Sequence, residues 1–419
     1  MISNIYKVFF LALLFSAWKI FSRRYLHPLS RYPGPFLWSV SRASYATAYA
    51  QGKLHKRIQC LHDQYGDVVR VAPDELSYRT EEAWKDIHGP LRNFPKDMRF
   101  YHASKSKAPS VAVAPDSIHG RQKRAILRAF SVSALQSHER LLRPFVDTLV
   151  RMLHPTDGKK ENVVVMTEWY NYVIFDFMAF ELFGESLHCL EKGTSHTWVD
   201  MLYGSIKGWA FLSQSKYFPS LSWVIKAALF LFRRDLLQHR STKFTSVASK
   251  VSAESVSESG DPGFGTYMRA ADMSYLHCVL QESLRMYPPV PLGMPRVVPN
   301  GGAVVSGQFV PENTSVAVAS WATYQSSSNF KDPQLFLPER WSDTDAGGDD
   351  VKGALQAFSM GPRGCPGRSL AFGEASLILA RLIWAFDLEL SPQCSNWADQ
   401  RAYIIWDKGP LLVKLAPRS

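Results

Sequence analysis

The chain has 419 residues, of which 46% are hydrophobic, so it is long enough to bury one large core or two or three smaller ones. Its 12 Trp, 17 Tyr and 25 Phe exclude a disordered protein. The net charge of +11 fits contact with anionic lipid or an acidic partner protein, and fits equally a mixed solvated surface. No nucleic-acid partner is expected, because no compact Lys/Arg tract with interleaved aromatic residues is present.

Five cysteines are spread along the chain and never form a Cys-x-x-C pair. This spacing argues against zinc ribbons, iron–sulfur clusters and thioredoxin-like sites. An odd number also argues against a disulfide framework, so we expect reduced thiols on the cytosolic side. The five are Cys60, Cys189, Cys278, Cys365 and Cys394.

Residues 1–24 are predicted to be a membrane anchor. The stretch over residues 2–21 is long enough to span a bilayer if Lys7 and Lys19 extend to the lipid interface. The positive charge that follows it favours a cytosolic location for the rest of the chain. An interfacial segment and a cleaved signal are the alternatives, although no small-x-small cleavage site is present. Residues 25–36 form a proline-punctuated hinge.

The body of the chain mixes helical and strand patterns. In chain order these patterns predict a short helix before a turn at 65–67, strands over 68–71 and 76–78, helices over 119–155, an aromatic apolar stretch over 162–190, further helices to about residue 240, a helix over 274–286, strands over 303–310 and 314–320, an irregular meander over 332–341 and a helix over 369–384. Residues 241–265 are polar and rich in Ser and Gly, which is typical of a linker.

A glycine-rich loop near the C-terminus carries the chemistry. Its glycines and prolines make a tight turn, and the helix after it directs N–H groups and a positive dipole end toward a cysteine sulfur. That environment stabilises a thiolate, the form that binds iron. A lone cysteine in a loop usually has no such role, but six spaced features coincide in Phe358-Ser-Met-Gly361-Pro-Arg363-Gly-Cys365-Pro-Gly367.

This segment resembles the F-x-x-G-x-R-x-C-x-G signature of the cytochrome P450 family. The resemblance implies that Cys365 is the catalytic residue and the axial ligand of a haem iron, here haem b. It implies that Phe358, Gly361 and Gly367 shape the haem-binding loop. Arg363 stands two residues from the thiol and is expected to pair with a haem propionate.

A second element is Glu282-Ser-Leu-Arg285, whose spacing puts both charged side chains on one face of a helix. Such pairs are commonly ordinary surface ion pairs. Here the helix runs into a Pro-Pro stop, and Pro-Glu-Arg340-Trp follows in the meander. This resembles the family's E-x-x-R helix and the arginine that completes its buried ion network, which implies a structural role for Glu282, Arg285 and Arg340.

Haem brings two carboxylates, so cations are expected near it. His119 and Lys123 resemble the family's C-helix segment, with lysine in the usual arginine position. Arg296, just before the predicted strands, is a further candidate by resemblance. Taken singly, each of these residues is more commonly a solvated basic side chain.

The resemblance covers most of the chain and is nearest to fungal microsomal members of secondary metabolism. It implies a mostly α, α+β haem domain over residues 37–419 behind the anchor, in the endoplasmic reticulum membrane and facing the cytosol. The implied reaction is monooxygenation of a hydrophobic small molecule with O2 and electrons from NADPH–cytochrome P450 reductase. Family geometry suggests substrate contacts at Val290, Leu292 and Ile404.

One family element is missing from the sequence. The long distal helix that carries A-G-x-[D/E]-T has no counterpart, and the haem domain is shortened around residues 241–273. The acid and the alcohol of that helix position water and protons for cleavage of the O–O bond, so their loss would impair turnover. Three explanations remain: an incorrectly spliced or predicted transcript, a non-catalytic degenerate paralogue that is a haem-binding relic, or an active enzyme with unusual proton delivery.

Overall fold

The computed structural model describes residues 2–101, 110–155, 161–218, 274–342 and 348–418. The contacts divide the chain into two compact units, which we describe separately. Unit 1 spans Met1–Gln122, Cys278–Cys365 and Arg401–Asp407, and unit 2 spans Lys123–His277, Pro366–Gln400 and Lys408–Ser419. The linker and the shortened region expected within residues 241–273 lie outside the described residues.

Helices make up most of the regular structure, as the sequence predicts, and strands are short. The α-helices are α1 (Ile2–Phe21), α2 (Phe36–Val40), α3 (Ala43–Ala50), α4 (Leu54–Tyr65), α5 (Glu81–His88), α6 (Met98–Tyr101), α7 (Asp116–Leu127), α8 (Val132–Leu153), α9 (Met166–Phe183), α10 (Cys189–Lys192), α11 (Thr197–Ser215), α12 (Ser274–Met286), α13 (Ser320–Tyr324) and α14 (Arg368–Ala385). The strands are β1 (Val68–Ala72), β2 (Glu75–Tyr78), β3 (Asn162–Val165), β4 (Arg296–Val297), β5 (Ala303–Val305), β6 (Gln308–Val310), β7 (Ser315–Val318), β8 (Phe386–Leu390), β9 (Arg401–Ala402), β10 (Trp406–Asp407) and β11 (Leu412–Pro417).

Unit 1 is organised by a four-stranded sheet in the order β1-β2-β7-β4. Strand β2 runs parallel to β7, and the other neighbouring pairs are antiparallel. The sequence predicts alternating strands over 68–71 and 76–78, but every residue of β1, β2 and β7 is buried, including the polar Arg70, Glu75 and Ser77. Helix α5 packs its Trp84 and Ile87 into the core of this sheet.

Unit 2 is built on long helices and a small sheet. Helix α8 begins after Ser131, whose hydroxyl accepts a hydrogen bond from the Ala134 N–H. Its buried face, which includes Leu142, Val146 and Leu149, packs in one core with residues of α9 and α14. The sheet has the order β3-β11-β8 and is antiparallel throughout.

Helix α1 covers residues 2–21 as the sequence predicts and exposes large apolar side chains such as Phe9, Leu11 and Phe15. The predicted membrane span is not confirmed: within the described ranges, no helix combines the length and the apolarity needed to cross a bilayer. A π-helical turn, Ser22–Leu26, follows α1.

A buried ion network in unit 1 brings Glu282, Arg285 and Arg340 together. All three side chains are almost completely buried. Arg285 binds Glu282 through both of its fork nitrogens, Nε to Oε2 at 2.9 Å and Nη2 to Oε1 at 2.8 Å. Arg340 Nε donates to Glu282 Oε1 at 3.2 Å, and its Nη1 donates to Asp350. Glu282 thereby joins α12 to the meander that contains Arg340.

The same carboxylate accepts two further hydrogen bonds, from the Leu337 N–H at 2.9 Å and from Trp341 Nε1 at 2.8 Å. Burial alone would raise the pKa of Glu282, but the hydrogen bonds from Arg285, Leu337 and Trp341 hold this pKa below its usual 4.5. Because the folded-state pKa is depressed, the network stabilises the fold above about pH 4.5 and loses this contribution as the pH falls further.

We predict that Glu282→Gln lowers the free energy of unfolding by about 3–5 kcal/mol at pH 7, because it leaves two buried arginines without their shared anion. Urea denaturation measures the loss. Glu81→Gln, which affects the surface pair with Lys85, is the matched control and should leave the free energy of unfolding almost unchanged. Equal losses in the two variants would contradict the structural role of Glu282.

The pKa of a second buried carboxyl shifts in the opposite direction. Burial, and then the charge of Glu181, raise the pKa of Glu374 on α14 to about 7, while His138 opposes the shift. Its Oε1 is buried without a hydrogen-bond partner among the described residues. In the unfolded chain this carboxyl ionises near pH 4.5, so between pH 4.5 and 7 rising pH favours unfolding.

We therefore predict that Glu374→Gln removes this pH penalty. The variant should gain about 2–3 kcal/mol over the wild type between pH 5 and pH 8. Chemical denaturation at the two pH values measures the gain. Glu389→Gln, at a side chain that is 72% exposed, should show no such pH-dependent gain. A gain of the same size in the control would refute the assignment.

Candidate functional site

The cysteine loop of unit 1 is a tight turn whose shape is set by its backbone. The Cys365 N–H donates to the Phe358 carbonyl at 2.9 Å, and the Gly364 N–H donates to the Gly361 carbonyl at 3.0 Å. Ser359 and Gly361 both have positive φ, 58° and 68°. A Cβ on Gly361 would lie 2.1 Å from the His88 carbonyl oxygen, so only glycine fits there. The loop thus holds an exposed Cys365 at a fixed point beside α5.

Three cations gather in unit 1 near this loop. Arg296 is buried, with a relative exposure of 3%, and its Nη1 donates to the Phe94 carbonyl at 3.0 Å. Lys96 forms an antiparallel bridge with Arg296 and lies 4.4 Å from the Tyr101 ring centroid. Arg363 donates through Nε to Asp116 at 2.9 Å and through Nη2 to the Ala114 carbonyl at 2.7 Å.

Positive charge exceeds negative charge in this cluster. Burial, then Arg296 and Arg363, lower the pKa of Lys96 to about 8, and only Asp116 acts in the other direction. Burial also lowers the pKa of Arg296, with Tyr101 opposing and Arg363 adding to the shift. The cations therefore repel one another, and a dianionic ligand would relieve that repulsion.

Two atoms of the cluster are left without partners in the described part of the chain. Arg296 Nε and Arg363 Nη1 are buried and have no hydrogen-bond acceptor there. Buried guanidinium N–H groups are costly to leave unpaired. Two carboxylates beside these donors, with a thiol two residues from Arg363, match the propionates and the iron of a haem. The residues present therefore fit this cofactor.

Near the cluster lies a buried imidazole. His88 ends α5, is 1% exposed, and neither ring nitrogen has a partner within the described ranges. Burial, then Arg296 and Lys96, lower its pKa to about 3. His88 is therefore neutral, and it adds no charge to the three cations.

The remaining predicted cofactor residues lie on α7 and directly before α14. His119 is buried in α7 in unit 1, and Lys123, four residues further along the same helix, is half-buried and belongs to unit 2. Gly367 is the residue before α14. Arg363 differs from expectation in one respect, because Asp116 is its charged partner in the structure.

The predicted substrate residues all lie in unit 1. Leu292 is buried, whereas Val290 and Ile404 are half-buried. Ile404 is at the tip of a hairpin formed by β9 and β10, closed by a hydrogen bond from the Tyr403 N–H to the Ile405 carbonyl at 3.0 Å. The hairpin fixes where Ile404 lies in unit 1, and substrate contact by these residues stays a prediction.

Sequence reasoning did not identify Lys96, Asp116 or His88. Lys96 meets Arg296 through backbone pairing, with the Val297 N–H donating to the Pro95 carbonyl at 2.8 Å, across about 200 residues of sequence. No local spacing signals such a pairing. The only available signal was a Pro-Lys-Asp turn before an aromatic helix start, which is too common to be specific.

Comparison with known proteins identifies the family. The family model described as Cytochrome P450 matches residues 28–240 and 243–414. The cytochrome P450 monooxygenase astJ of Aspergillus oryzae is 34% identical over 476 residues, covering 96% of this chain and 95% of the relative. Cytochrome P450 monooxygenase atr2 of Stereocaulon alpinum is 34% identical over 471 residues, covering 95% and 92%. Averantin hydroxylase of Dothistroma septosporum is 33% identical over 480 residues, covering 97% and 90%.

The alignments also contain positions that this chain does not fill. The first runs over 476 positions but covers 96% of 419 residues, about 402, so about 74 positions hold no residue of this chain. The family match is interrupted between residues 240 and 243. With its signature loop, its ion network and relatives matched over nearly their full length, the chain belongs to the cytochrome P450 family of monooxygenase enzymes.

Proposed function

We propose that this enzyme binds haem b through Cys365 and oxidises a hydrophobic small molecule of fungal secondary metabolism. O2 is the oxidant, and NADPH–cytochrome P450 reductase supplies the electrons. The observation that carries the proposal is the unsatisfied cation cluster beside the cysteine loop, with Arg296 Nε and Arg363 Nη1 lacking acceptors among the described residues. The relatives support the reaction type, since they are named monooxygenases or a hydroxylase.

The residues of this chain would have separate roles in binding the haem. Cys365 would supply a thiolate ligand to the iron, and the haem would supply the oxygen-activating chemistry when bound. Arg296, Lys96 and Arg363 neutralise its carboxylates, and the buried, neutral His88 leaves that charge balance unchanged. The ion network around Glu282 keeps the surrounding backbone fixed and takes no part in the chemistry.

Substrate specificity is assigned to the apolar side chains of Val290, Leu292 and Ile404. These residues offer hydrophobic contact and no charge, which suits a nonpolar substrate. The +11 net charge supports docking of an acidic reductase surface, because complementary charge speeds diffusional encounter.

A non-catalytic haem protein is the second candidate. The interruption of the family match between residues 240 and 243, and the absence of A-G-x-[D/E]-T from the sequence, favour it. Without an acid–alcohol pair to direct protons, electrons from NADPH would be lost to reduced oxygen species rather than to product.

Isotope incorporation distinguishes the two candidates. The chain in microsomes with reductase and NADPH is given 18O2 and a panel of hydrophobic polyketides that begins with averantin. We expect one 18O atom in a product, and no label with Cys365→Ser. If NADPH is consumed without labelled product across the panel, and no compound shifts the haem spectrum, the non-catalytic candidate is correct.

Haem retention tests the cation cluster. We predict that Lys96→Met, which keeps the side-chain length and removes the charge, speeds haem transfer to apomyoglobin about tenfold, because one charged hydrogen bond is lost. Lys85→Met, at a lysine that is 60% exposed, is the control and should leave the rate within about twofold. The same rate in both variants would show that Lys96 does not hold the cofactor.

We further propose that α1 attaches the enzyme to the endoplasmic reticulum membrane, with the body in the cytosol. The support is its row of exposed apolar side chains, including Leu11 and Phe15. The double variant Leu11→Asp/Phe15→Asp should release the chain from phosphatidylcholine vesicles in a flotation assay, with at least a tenfold loss of bound fraction. Leu91→Asp, at a side chain that is 97% exposed, should have no effect. Equal binding of both variants would refute attachment through α1.

A further inference from the structure

Two tryptophans of unit 1 bind the two ends of the short segment that carries Val290. The Trp406 Nε1–H donates to the Pro288 carbonyl at 2.7 Å, and this hydrogen bond is buried. The backbone N–H of Trp321 donates to the Pro291 carbonyl at 3.0 Å. Because the three prolines of this Pro-Pro-Val-Pro segment cannot donate hydrogen bonds, the carbonyl contacts at Pro288 and Pro291 anchor its two ends.

The same tryptophans belong to one aromatic cluster. Trp406 is stacked on Tyr287 with ring centroids 4.2 Å apart and an interplanar angle of 15°. Its ring also meets Trp321 at 5.5 Å and His55 at 5.0 Å, both edge to face. Trp406 is 4% exposed. Such geometry favours aromatic pairs beyond the effect of burial, so the position of the Trp406 ring is well defined.

Trp406 is also part of the hairpin that carries Ile404. It starts β10 and pairs with Ala402 of β9. The other strand is held independently, because the Ala402 N–H donates to the Gly52 carbonyl at 2.8 Å. Gly52 has a φ of 68°, and a Cβ there would lie 2.7 Å from the Arg401 Cβ, so the hairpin sits directly on this glycine. The tip therefore has little freedom relative to the Trp406 ring.

These contacts connect two segments that the function assigns to the substrate. Ile404 lies two residues before Trp406, and Val290 lies two residues after the carbonyl that Trp406 binds. We propose that Trp406 is a positioning residue that sets the separation between Val290 and Ile404, and thereby selects the size of substrate that the enzyme accepts. The inference rests on the proposed function, because it takes these two residues as substrate contacts.

The test removes the indole N–H with which Trp406 binds the Pro288 carbonyl. Trp406→Phe keeps a ring on Tyr287 and deletes the hydrogen bond to Pro288. The matched control is Trp321→Phe, which deletes an indole hydrogen bond to Gln59 (Nε1 to Oε1, 2.6 Å) in the same cluster and keeps the backbone bond to Pro291. Replacing Trp406 with benzothienylalanine, which has the shape of Trp and no N–H, covers the case in which Trp406→Phe does not fold.

Hydrogen exchange of the chain without added cofactor is the first readout. We expect the amides of residues 321, 402 and 403, which donate to the Pro291, Gly52 and Ile405 carbonyls, to exchange about fivefold faster in the Trp406 variants, the amount expected from losing one hydrogen bond. The Trp321→Phe control should stay within about twofold of the wild type. Exchange that is unchanged in the Trp406 variants, or equally fast in the control, overturns the proposal.

Ligand size selection is the second readout. 1-Butylimidazole and 1-dodecylimidazole are titrated into the haem-loaded chain, and the ratio of their Kd values is read from the haem spectrum. We expect this ratio to change about fivefold in the Trp406 variants and less than twofold in the control. An unchanged ratio in a wild-type-like haem protein overturns the selection role. If the wild-type chain shows no haem spectrum, the proposed function fails. The exchange readout still decides whether Trp406 holds the Val290 segment and the Ile404 hairpin in place.

Discussion

The carboxylate of Glu282 is the constraint on which the described framework of unit 1 depends. A fully buried charge is tolerated only when its partners satisfy it completely, and this one accepts from Arg285, Arg340, Leu337 and Trp341. The donors come from α12 and from the meander, so one acceptor orders segments more than fifty residues apart in sequence. Phe330 lies against the two guanidiniums, 5.3 and 6.0 Å from its ring centroid, and closes the network from one side.

The candidate haem site shows the opposite charge balance. Around Glu282 the positive and negative groups satisfy one another, whereas near the cysteine loop Arg296, Lys96 and Arg363 outnumber Asp116. A protein interior does not keep such an excess for stability, because desolvated like charges repel. The excess is explained if the fold is built to receive two carboxylates. The ion network around Glu282 makes the surrounding framework rigid. The candidate site carries an excess of positive charge that a bound anionic ligand would neutralise.

Local patterns in the sequence predicted much of this arrangement. The Gly361–Cys365 loop and the Glu282–Arg285 pair are set by residues within a few positions of one another, so their spacing together with the family resemblance was enough to single them out. Strands β1, β2 and β7 were predicted because their segments are short, rich in Val, Leu and Tyr, and follow a turn or a loop. Strands β3, β8 and β11 were missed, because β3 merges with the apolar start of α9 and β8 carries alternating charges that read as surface.

Long-range partners were beyond the reach of such patterns. Asp350 completes the bonding of Arg340, and Lys96 pairs with Arg296, through contacts that only the folded backbone creates. The Trp406 hydrogen bond to Pro288 spans 118 residues and has no sequence signature. Motifs in this chain thus identify the family, while tertiary pairing determines which positive charges stay unbalanced near Cys365 and how Val290 is held relative to Ile404.

The central claim is that Cys365 binds haem iron as a thiolate even though the sequence lacks A-G-x-[D/E]-T. The most direct measurement is the carbon monoxide difference spectrum of the reduced, full-length chain in microsomes. The account predicts a Soret band characteristic of thiolate ligation, which Cys365→Ser abolishes. No band, or only the band of a protonated or displaced thiol, would contradict the account and show that this chain is not a working monooxygenase.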